Sequence, residues 1–227
     1  MPSVRHPLHA LCGSRVCAQV GEVSEINIYP LKSAAQHRVK EAEVTGIGLK
    51  NDRGFMVMDL ETKIWVSQRE NSKMATIGAT VSPKGQLTLT CDANKSQQPL
   101  VIVPKRGKAT AEAMLWESPV PAVDQGDKAA AWLSKALDQK VRLVCAADGF
   151  EAATGEDFAK GFQTGLADGF PYHLITEASV DALNKKISGE PVSTKNFRPN
   201  IVVKGCGAWQ EDQWSIYRVG EVLRMPL

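Results

Sequence analysis

Short apolar runs separated by turn-forming residues dominate the chain and predict β-strands. The segment QLTLTC at 86–91 alternates Leu87, Leu89 and Cys91 with threonines, the pattern of a strand buried on one face. It follows the turn sequence SPKG, so we expect a hairpin with residues 76–81. Further predicted strands are INIY at 26–29, FMVM at 55–58, LVIV at 100–103, VRLVC at 141–145, NIVVKG at 200–205 and SIYRVGEVL at 215–223, the last broken at Gly220.

Two segments have helical periodicity instead. Residues 127–139 carry an apolar stripe and begin at Asp127 as the predicted N-cap; the stripe is Ala129, Trp132, Leu133, Ala136 and Leu137. Residues 176–189 begin at the N-cap Thr176 and stop at Gly189, with Val180, Leu183 and Ile187 on one face. Many short strands with two main helices predict an α+β, β-barrel-like fold. The Gly-, Ala- and acid-rich stretch 146–169 is expected to be a loop.

Charge and composition exclude several classes of function. The net charge of the 227 residues is +2, and no basic block rises above the rest, so neither nucleic acid nor a membrane surface is indicated. The five cysteines are scattered, without a Cys-x-x-Cys pair, which argues against a zinc ribbon and a disulfide framework and favours a reducing compartment. The four histidines lack the spacing of a metal-binding helix, so we expect no metal held by protein histidines.

The first twenty residues differ in character from the rest. They contain Arg5, Arg15 and two histidines but no acidic residue, which is faintly like an organelle transit segment. Their apolar part is too short and broken for a membrane-spanning or signal-anchor helix. We expect residues 1–19 to be a disordered or targeting tail.

Several polar side chains fall at predicted strand ends, where sites on rigid scaffolds tend to lie. Lys32 and Ser33 follow the first strand, and Arg53 precedes the strand FMVM. In NFRPN, Pro199 is expected to hold Arg198 in an extended backbone, with Asn200 on the same strand face. Two arginine forks, a lysine, a hydroxyl and an amide would suit a phosphorylated cofactor with a polar ring system. Each cation could equally be solvated or bonded to loop carbonyls, and spacing alone does not show that they converge.

The motifs IYPLKS, GLKNDRGFMVMD, VSQRE, FPYHLITEASVDALN, NFRPNIVVKG and EDQW occur in this order. Together they resemble the MOSC family, in the group that carries a MOSC N-terminal β-barrel region and includes the mitochondrial amidoxime-reducing components and their bacterial counterparts. The resemblance implies a MOSC N-terminal region over 20–146, intertwined with a MOSC domain over 147–227 that is incomplete at its C-terminus.

The resemblance also implies a cofactor and its binding residues. Members bind the molybdenum cofactor, a molybdenum ion on a phosphorylated pyranopterin dithiolene. The family residues that hold the pterin and its phosphate match Lys32, Ser33, Arg53, Arg198 and Asn200 here. A further family segment matches Asp168, Gly169 and Phe170, with Phe170 standing where relatives often have a hydroxyl residue.

Members of this group reduce N-hydroxylated compounds such as amidoximes and hydroxylamines. The resemblance therefore implies a small N-hydroxylated substrate and an electron donor of the cytochrome b5 type, or an attached iron–sulfur domain. In the family, a cysteine thiolate, a soft ligand, coordinates the molybdenum from a motif beyond the positions of Val219 and Gly220. This chain ends at Leu227 without that motif, and Cys206 lies in a turn and is expected to be structural.

Three hypotheses about function follow. The chain is a molybdenum-dependent reductase of nitrogen–oxygen bonds, a module that binds the cofactor without turnover, or an inactive truncated form that lacks the metal-ligating cysteine. The resemblance places it in mitochondria or the cytoplasm. Pyridoxal phosphate binding follows only by transfer from molybdenum cofactor sulfurase, whose pyridoxal-phosphate domain could not fit here, and no lysine lies in a recognisable Schiff-base setting.

Overall fold

The computed structural model describes residues 7–12, 15–155, 160–214, 216–219 and 223–226. Its helices are α1 (Asp127–Leu137), α2 (Glu177–Asn184) and α3 (Thr194–Phe197). Short 3-10 helices cover Ser72–Thr76 and Glu211–Gln213. Its strands are β1 (Pro7–Cys12), β2 (Arg15–Ile28), β3 (His37–Val39), β4 (Val44–Thr45), β5 (Gly48–Leu49), β6 (Phe55–Asp59), β7 (Ile77–Val81), β8 (Leu87–Cys91), β9 (Leu100–Ile102), β10 (Ala111–Leu115), β11 (Ser118–Asp124), β12 (Val141–Ala146), β13 (Ala152–Ala153), β14 (Gln163–Thr164), β15 (Leu174–Thr176), β16 (Ile201–Lys204), β17 (Ile216–Val219) and β18 (Leu223–Pro226).

The largest sheet combines strands from both ends of the chain. Its order is β15-β16-β2-β1-β17-β18, with β3 also paired to β2. The long strand β2 is antiparallel to β16, and β15 runs parallel to β16. Leu8, Val203 and Trp214 lie in the apolar cluster of this sheet. An early and a late part of the chain are therefore held in one hydrogen-bonded layer.

A second sheet is ordered β10-β11-β12-β6, and its strands β6 and β12 contact an apolar cluster on each face. Along β6, Phe55 and Val57 pack into one apolar cluster, whereas Met56 and Met58 pack into another. Successive side chains of a strand point to opposite faces, so a strand with a core on each side must be apolar throughout. This explains the uninterrupted run FMVM, which the sequence analysis identified as a buried strand.

The predicted hairpin at 76–91 is confirmed. Strands β7 and β8 pair antiparallel, with Ile77 opposite Cys91 and Val81 opposite Leu87. The turn between them closes with the Gly85 amide donating to the Ser82 carbonyl at 2.8 Å. Leu87, Leu89 and Cys91 are buried and join the cluster beneath α1, which also takes in Leu133 and Leu137. The third strand of this sheet is β9.

The helix ends follow the prediction for α2 and differ for α1. The Thr176 hydroxyl accepts a hydrogen bond from the Ser179 amide, as expected of an N-cap, although α2 already ends at Asn184. The prediction that Asp127 caps α1 was wrong: Gly126 holds that position, and the Asp127 carboxylate is bonded to Arg142 at 2.7 Å. A salt-bridge partner across the sheet has taken the side chain that a cap would need.

Strand β11 was missed because it contains Pro119 and Pro121. Both lie opposite β10 residues, and the pairing of β11 with β12 begins only at Ala122. Prolines are tolerated where a strand has a neighbour on one side only, since they cannot donate a ladder hydrogen bond. The sequence analysis predicted no strand here, although the structure has one.

Two further expectations about unstructured segments need correction. Residues 7–12 and 15–19 lie in β1 and β2, which pair with each other, so the expected disorder of this tail does not hold for them. Within the predicted loop 146–169, β13 and β14 form a small antiparallel pair. The predicted break at Gly220 falls outside the described residues.

Short strands in several sheets, with helices packed against them, confirm the α+β class. Among the residues that the structure describes, no helix combines the length and apolar character needed to cross a membrane.

The core beneath α1 gives a first prediction. Replacing the fully buried Leu133 with alanine should lower the free energy of unfolding by about 2–5 kcal/mol, because it removes buried methyl groups and leaves a cavity. Lys135→Ala, on the exposed side of the same helix, should change it by less than about 0.5 kcal/mol. Urea unfolding of both variants provides the measurement, and equal effects would contradict this packing of α1.

Candidate functional site

The segment that follows β2 is held against the segment that leads into β6. The Arg53 amide donates to the Tyr29 carbonyl at 2.7 Å, and the Phe55 amide donates to the Pro30 carbonyl at 3.0 Å. The Lys32 amide in turn donates to the Phe55 carbonyl at 2.8 Å. These backbone bonds make Lys32 and Arg53 neighbours although a long stretch of sequence separates them.

Asn200 is fixed at the start of β16 by a reciprocal contact with β2. The Asn27 amide donates to the Asn200 carbonyl at 2.8 Å, and the Asn200 side-chain nitrogen donates to the Asn27 carbonyl at 3.1 Å. The Asn200 side-chain oxygen accepts from the His173 amide at 3.2 Å and from Arg53 at 3.3 Å. Asn200 is 1% exposed, so its polar atoms are satisfied by protein partners.

The ring of Tyr29 packs against two arginines of the site. The guanidinium carbons of Arg53 and Arg198 lie 4.6 and 4.4 Å from the centre of its ring, within the range of cation–π attraction. Its hydroxyl donates to the Pro199 carbonyl at 3.2 Å. Burial raises the pKa of Tyr29 to about 12, although both arginines oppose the rise. The ring therefore stays neutral and holds two guanidinium groups side by side.

The expectation of an extended backbone at Arg198 was wrong. Arg198 has φ 57° and ψ 47°, in the left-handed region, and its amide donates to the Lys195 carbonyl. It ends the short helix α3, and a left-handed residue is a common way to end a helix. Pro199 disfavours the right-handed helical conformation for the residue before it. The left-handed conformation of Arg198 avoids that conformation as well as the extended one would. The strand then begins at Ile201, so Arg198 and Asn200 precede it and do not share one of its faces.

Lys32 is a buried cation with one carboxylate partner. Its side chain is 3% exposed, and its Nζ donates to the Leu166 carbonyl at 2.7 Å and to Asp168 at 2.5 Å. Nζ also lies 4.6 Å from the centre of the Trp65 ring. Burial lowers the pKa of Lys32, and Asp168 opposes this without cancelling it.

Arg198 differs from the other two cations in having no carboxylate partner within the described chain. Arg53 is bonded to Asp52, and Lys32 to Asp168. Arg198 donates one hydrogen bond, to the Ala34 carbonyl at 2.6 Å, although a guanidinium carries five N–H donors. Burial and the nearby Arg53 lower the pKa of Arg198. The site thus holds one positive charge more than its carboxylates neutralise.

Six of the eight predicted site residues come together. Arg53 donates to the Asn200 side-chain oxygen and to the Arg198 carbonyl, and Lys32 is bonded to Asp168. In the chain, Ser33 lies between Lys32 and Ala34, whose carbonyl Arg198 contacts. We call Lys32, Ser33, Arg53, Arg198 and Asn200 the cationic cradle. Gly169 and Phe170 follow Asp168 in the chain; Gly169 has open space around its α-carbon, and Phe170 is 44% exposed.

Backbone strain also marks the cradle. Ser33, Arg53 and Arg198 have φ values of 65°, 48° and 57°, which residues other than glycine adopt infrequently. Such conformations cost free energy, persist only where the surrounding structure enforces them, and cluster at ligand-binding positions. Three of them around one tyrosine are an indication of function that does not depend on charge.

The donor set fits the phosphate and the polar ring of a pterin. Arg198 has unused donors, and the Ser33 hydroxyl forms no hydrogen bond with the described residues. No group of three or more histidine, cysteine, aspartate or glutamate side chains is arranged for a metal ion in this part of the chain. Cys206 lies beyond the far end of β16 from Asn200, while Cys91 and Cys145 are buried in the core beneath α1. The cradle therefore suits an anionic organic group, and these three cysteines do not face it.

Sequence reasoning missed three side chains that complete the site. Asp52 neutralises Arg53, Tyr29 supports both arginines, and Trp65 contacts Lys32. Asp52 and Tyr29 are adjacent to predicted residues within the motifs NDRGF and IYPLKS, so their position was a usable signal. The sequence around Trp65 contained no such signal, because only the fold brings Trp65 to Lys32.

Comparison with protein families matches nearly all of the chain after its first strand. A model of the MOSC N-terminal beta barrel domain matches residues 20–140, and a model of the MOSC domain matches residues 162–225. The part of β2 that pairs with β16 lies in the first match, and β16 lies in the second. The two matched regions therefore share a sheet.

Named relatives agree with these matches. Mitochondrial amidoxime-reducing component 1 of Mus musculus is 31% identical over 214 residues, covering 90% of this chain and 62% of the relative. The Xenopus laevis protein of the same name is 32% identical, covering 89% and 61%. Mitochondrial amidoxime reducing component 2 of Rattus norvegicus is 31% identical, covering 92% and 64%. The chain thus spans less than two thirds of the length of these relatives, and it belongs to the MOSC family with a MOSC N-terminal β-barrel domain.

Proposed function

We propose that this chain binds the molybdenum cofactor in the cationic cradle and takes part in the reduction of N-hydroxylated compounds. The observation that carries the proposal is Arg198, which is held on the Tyr29 ring with unused donors and no carboxylate partner among the described residues. A phosphate beside it would neutralise the surplus charge of the site. Arginine is suited to this role because its planar fork matches two phosphate oxygens.

Each residue of the cradle has a distinct task in this proposal. Arg198 and Arg53 present their guanidinium groups to the phosphate and the pterin edge, and Asn200 keeps Arg53 in place through its side-chain oxygen. The Ser33 hydroxyl is free to bond a heteroatom of the ring, and Lys32 adds a positive charge at the other side. When bound, the cofactor would supply a metal centre able to deliver two electrons.

The proposed substrate class follows the names of the relatives, whereas the proposed electron donor follows the family resemblance of the sequence motifs. Proteins named amidoxime-reducing components are similar to this chain over about 90% of its length. In the proposed reaction, the N–O bond of an amidoxime breaks, two electrons and two protons are taken up, and an amidine and water leave. The electrons come from a cytochrome b5 type donor, and the protein resides in mitochondria, as the relatives' names suggest, or in the cytoplasm. The division into regions 20–146 and 147–227 is part of the same proposal.

Charge reversal at Arg198 tests the binding site. Arg198→Glu should lower the molybdenum and pterin content of the purified protein by at least tenfold, since it places a carboxylate where the phosphate would bind. Lys84→Glu, in the exposed turn between β7 and β8, has the same change of charge and should retain the wild-type content. Elemental analysis and fluorescence of the oxidised pterin provide the measurement. Equal cofactor content in both variants would refute this assignment.

Turnover separates a reductase from a module that only binds. Cofactor-loaded protein supplied with chemically reduced viologen should convert benzamidoxime to benzamidine, which chromatography quantifies. Arg198→Glu should lose this conversion together with its cofactor. Full cofactor content without any conversion would instead support the binding module.

The Lys32–Asp168 pair predicts a pH-dependent stability. The ordinary lysine pKa is 10.5 and that of folded Lys32 is lower, so the unfolded chain holds more protons between the two values. The free energy of unfolding therefore rises with pH across that window. Asp168→Asn removes the charge that raises the Lys32 pKa, so the variant should lose stability at neutral pH and recover part of it near pH 10.5.

Urea unfolding at both pH values measures this effect. Glu43→Gln breaks the exposed pair with Lys50 and serves as the control, which should change the free energy of unfolding by less than about 1 kcal/mol at either pH. A pH-independent loss in Asp168→Asn would show that its carboxylate does not act through Lys32.

A further inference from the structure

A cavity of about 760 Å³ lies beside the cationic cradle, and none of the five cradle residues lines it. Its lining includes Ile64, Trp65, Arg69, Trp116 and Glu117. This volume is typical of pockets that hold small organic molecules. Two tryptophans in one lining indicate a ligand with a flat apolar part.

Trp65 lines the cavity and also contacts the cradle. One neighbour of its ring is the Lys32 ammonium at 4.6 Å, and another is the Trp116 ring at 5.2 Å between centres, inclined by 65°. The backbone sets this arrangement, because the Trp65 amide donates to the Met114 carbonyl at 3.0 Å, two residues before Trp116. A molecule in the cavity would therefore lie next to whatever the cradle binds.

Trp116 is exposed and yet held in a fixed position. It is 49% exposed and has a φ of 55°, an unfavourable backbone conformation for a bulky residue. Its indole Nε1 donates to Asp168 at 3.2 Å, and the Arg69 guanidinium lies 5.9 Å from its ring centre. The indole is therefore held in place by Trp65, Arg69 and Asp168, while about half of its surface is exposed at the cavity, where a flat ligand can pack on it.

Polar groups around the cavity define the rest of the ligand. The lining contains two carboxylates, those of Glu70 and Glu117, and one guanidinium, that of Arg69, which favours a head group that donates hydrogen bonds. Asp168 stands at the boundary with the cradle, and both of its described hydrogen bonds go to Oδ1. Its Oδ2 is available to accept a bond from an N–OH or NH₂ group.

We propose that this cavity binds the aromatic ring of an aryl N-hydroxylated substrate, with the ring against Trp116 and the N–OH head group toward Asp168. The identity of the head group rests on the function proposed above, whereas the ring site rests on the two tryptophans alone. Trp116 and Trp65 then determine specificity and take no part in the chemistry.

Binding of two probes to the full chain tests the proposal. Benzamidoxime carries the ring, and acetamidoxime carries the same head group without it; titration calorimetry gives both affinities. Trp116→Ala should weaken benzamidoxime binding roughly three- to tenfold, as expected for loss of aromatic contact, and leave acetamidoxime binding unchanged. Trp116→Phe keeps a flat ring and should lose less than Trp116→Ala, which guards against a folding defect as the cause.

Trp209→Ala is the matched control. Trp209 is 42% exposed and has a φ of 63°, close to the values of Trp116, but it does not line the cavity. It should leave the affinity for benzamidoxime unchanged. Equal effects of Trp116→Ala and Trp209→Ala, or no binding of benzamidoxime by the wild-type chain, would overturn the proposal.

If the proposed function is wrong but the ring site is correct, the affinities of a third probe, benzamide, show it. Benzamide has the ring without the N–OH group. If benzamide binds as tightly as benzamidoxime and both depend on Trp116, the ring site stands and the N-hydroxylated head group is wrong. The affinities are measured without turnover, so loss of reductase activity or of cofactor does not affect the result.

Discussion

The antiparallel pairing of β2 with β16 is the constraint on which the site depends. It brings Asn27 and Asn200 into reciprocal hydrogen bonds and fixes where β2 ends and where β16 begins. Tyr29 leaves the end of one strand just where Arg198 precedes the other, so the ring and the guanidinium meet. A one-residue slip in this pairing would turn the side chains of a strand to the opposite face and separate them.

Around that junction, burial and charge act against each other. Burial lowers the pKa of both Lys32 and Arg198, yet the described structure keeps Lys32, Arg53 and Arg198 in one site and pairs them with only two carboxylates. Uncompensated buried charge is costly, and an anionic ligand removes the cost. The same reasoning connects the cradle to the tryptophan-lined cavity, since Lys32 and Asp168 contact Trp65 and Trp116. The two regions can thus respond to each other's ligands through shared side chains.

Short sequence patterns predicted those parts of the fold that local interactions determine. The alternation around Leu87 was sufficient to predict the hairpin, and Thr176 was sufficient to predict the start of α2. Hairpins and helix ends depend on near neighbours in sequence. Strand β11, with its two prolines, could not be recognised, since its pairing depends on which of its sides has a neighbour.

The cradle cations were identifiable as charges at strand ends, but their convergence required the pairing of distant strands. The left-handed backbone of Arg198 was mispredicted because a proline rules out one conformation without selecting between the remaining two. Trp65 and Trp116 carry no local sign of their contact, which depends on backbone bonds between residues 63–65 and Met114.

The pairing of β2 with β16 also has a consequence for biosynthesis. Tyr29, Lys32 and Arg53 leave the ribosome long before Arg198 and Asn200, so the early cations must wait without their final neighbours while the middle of the chain is made. Contacts of such large sequence separation form slowly, because loop closure must precede them. We therefore expect the cofactor proposed above to enter after chain synthesis, and a nascent chain that ends before residue 198 to retain none.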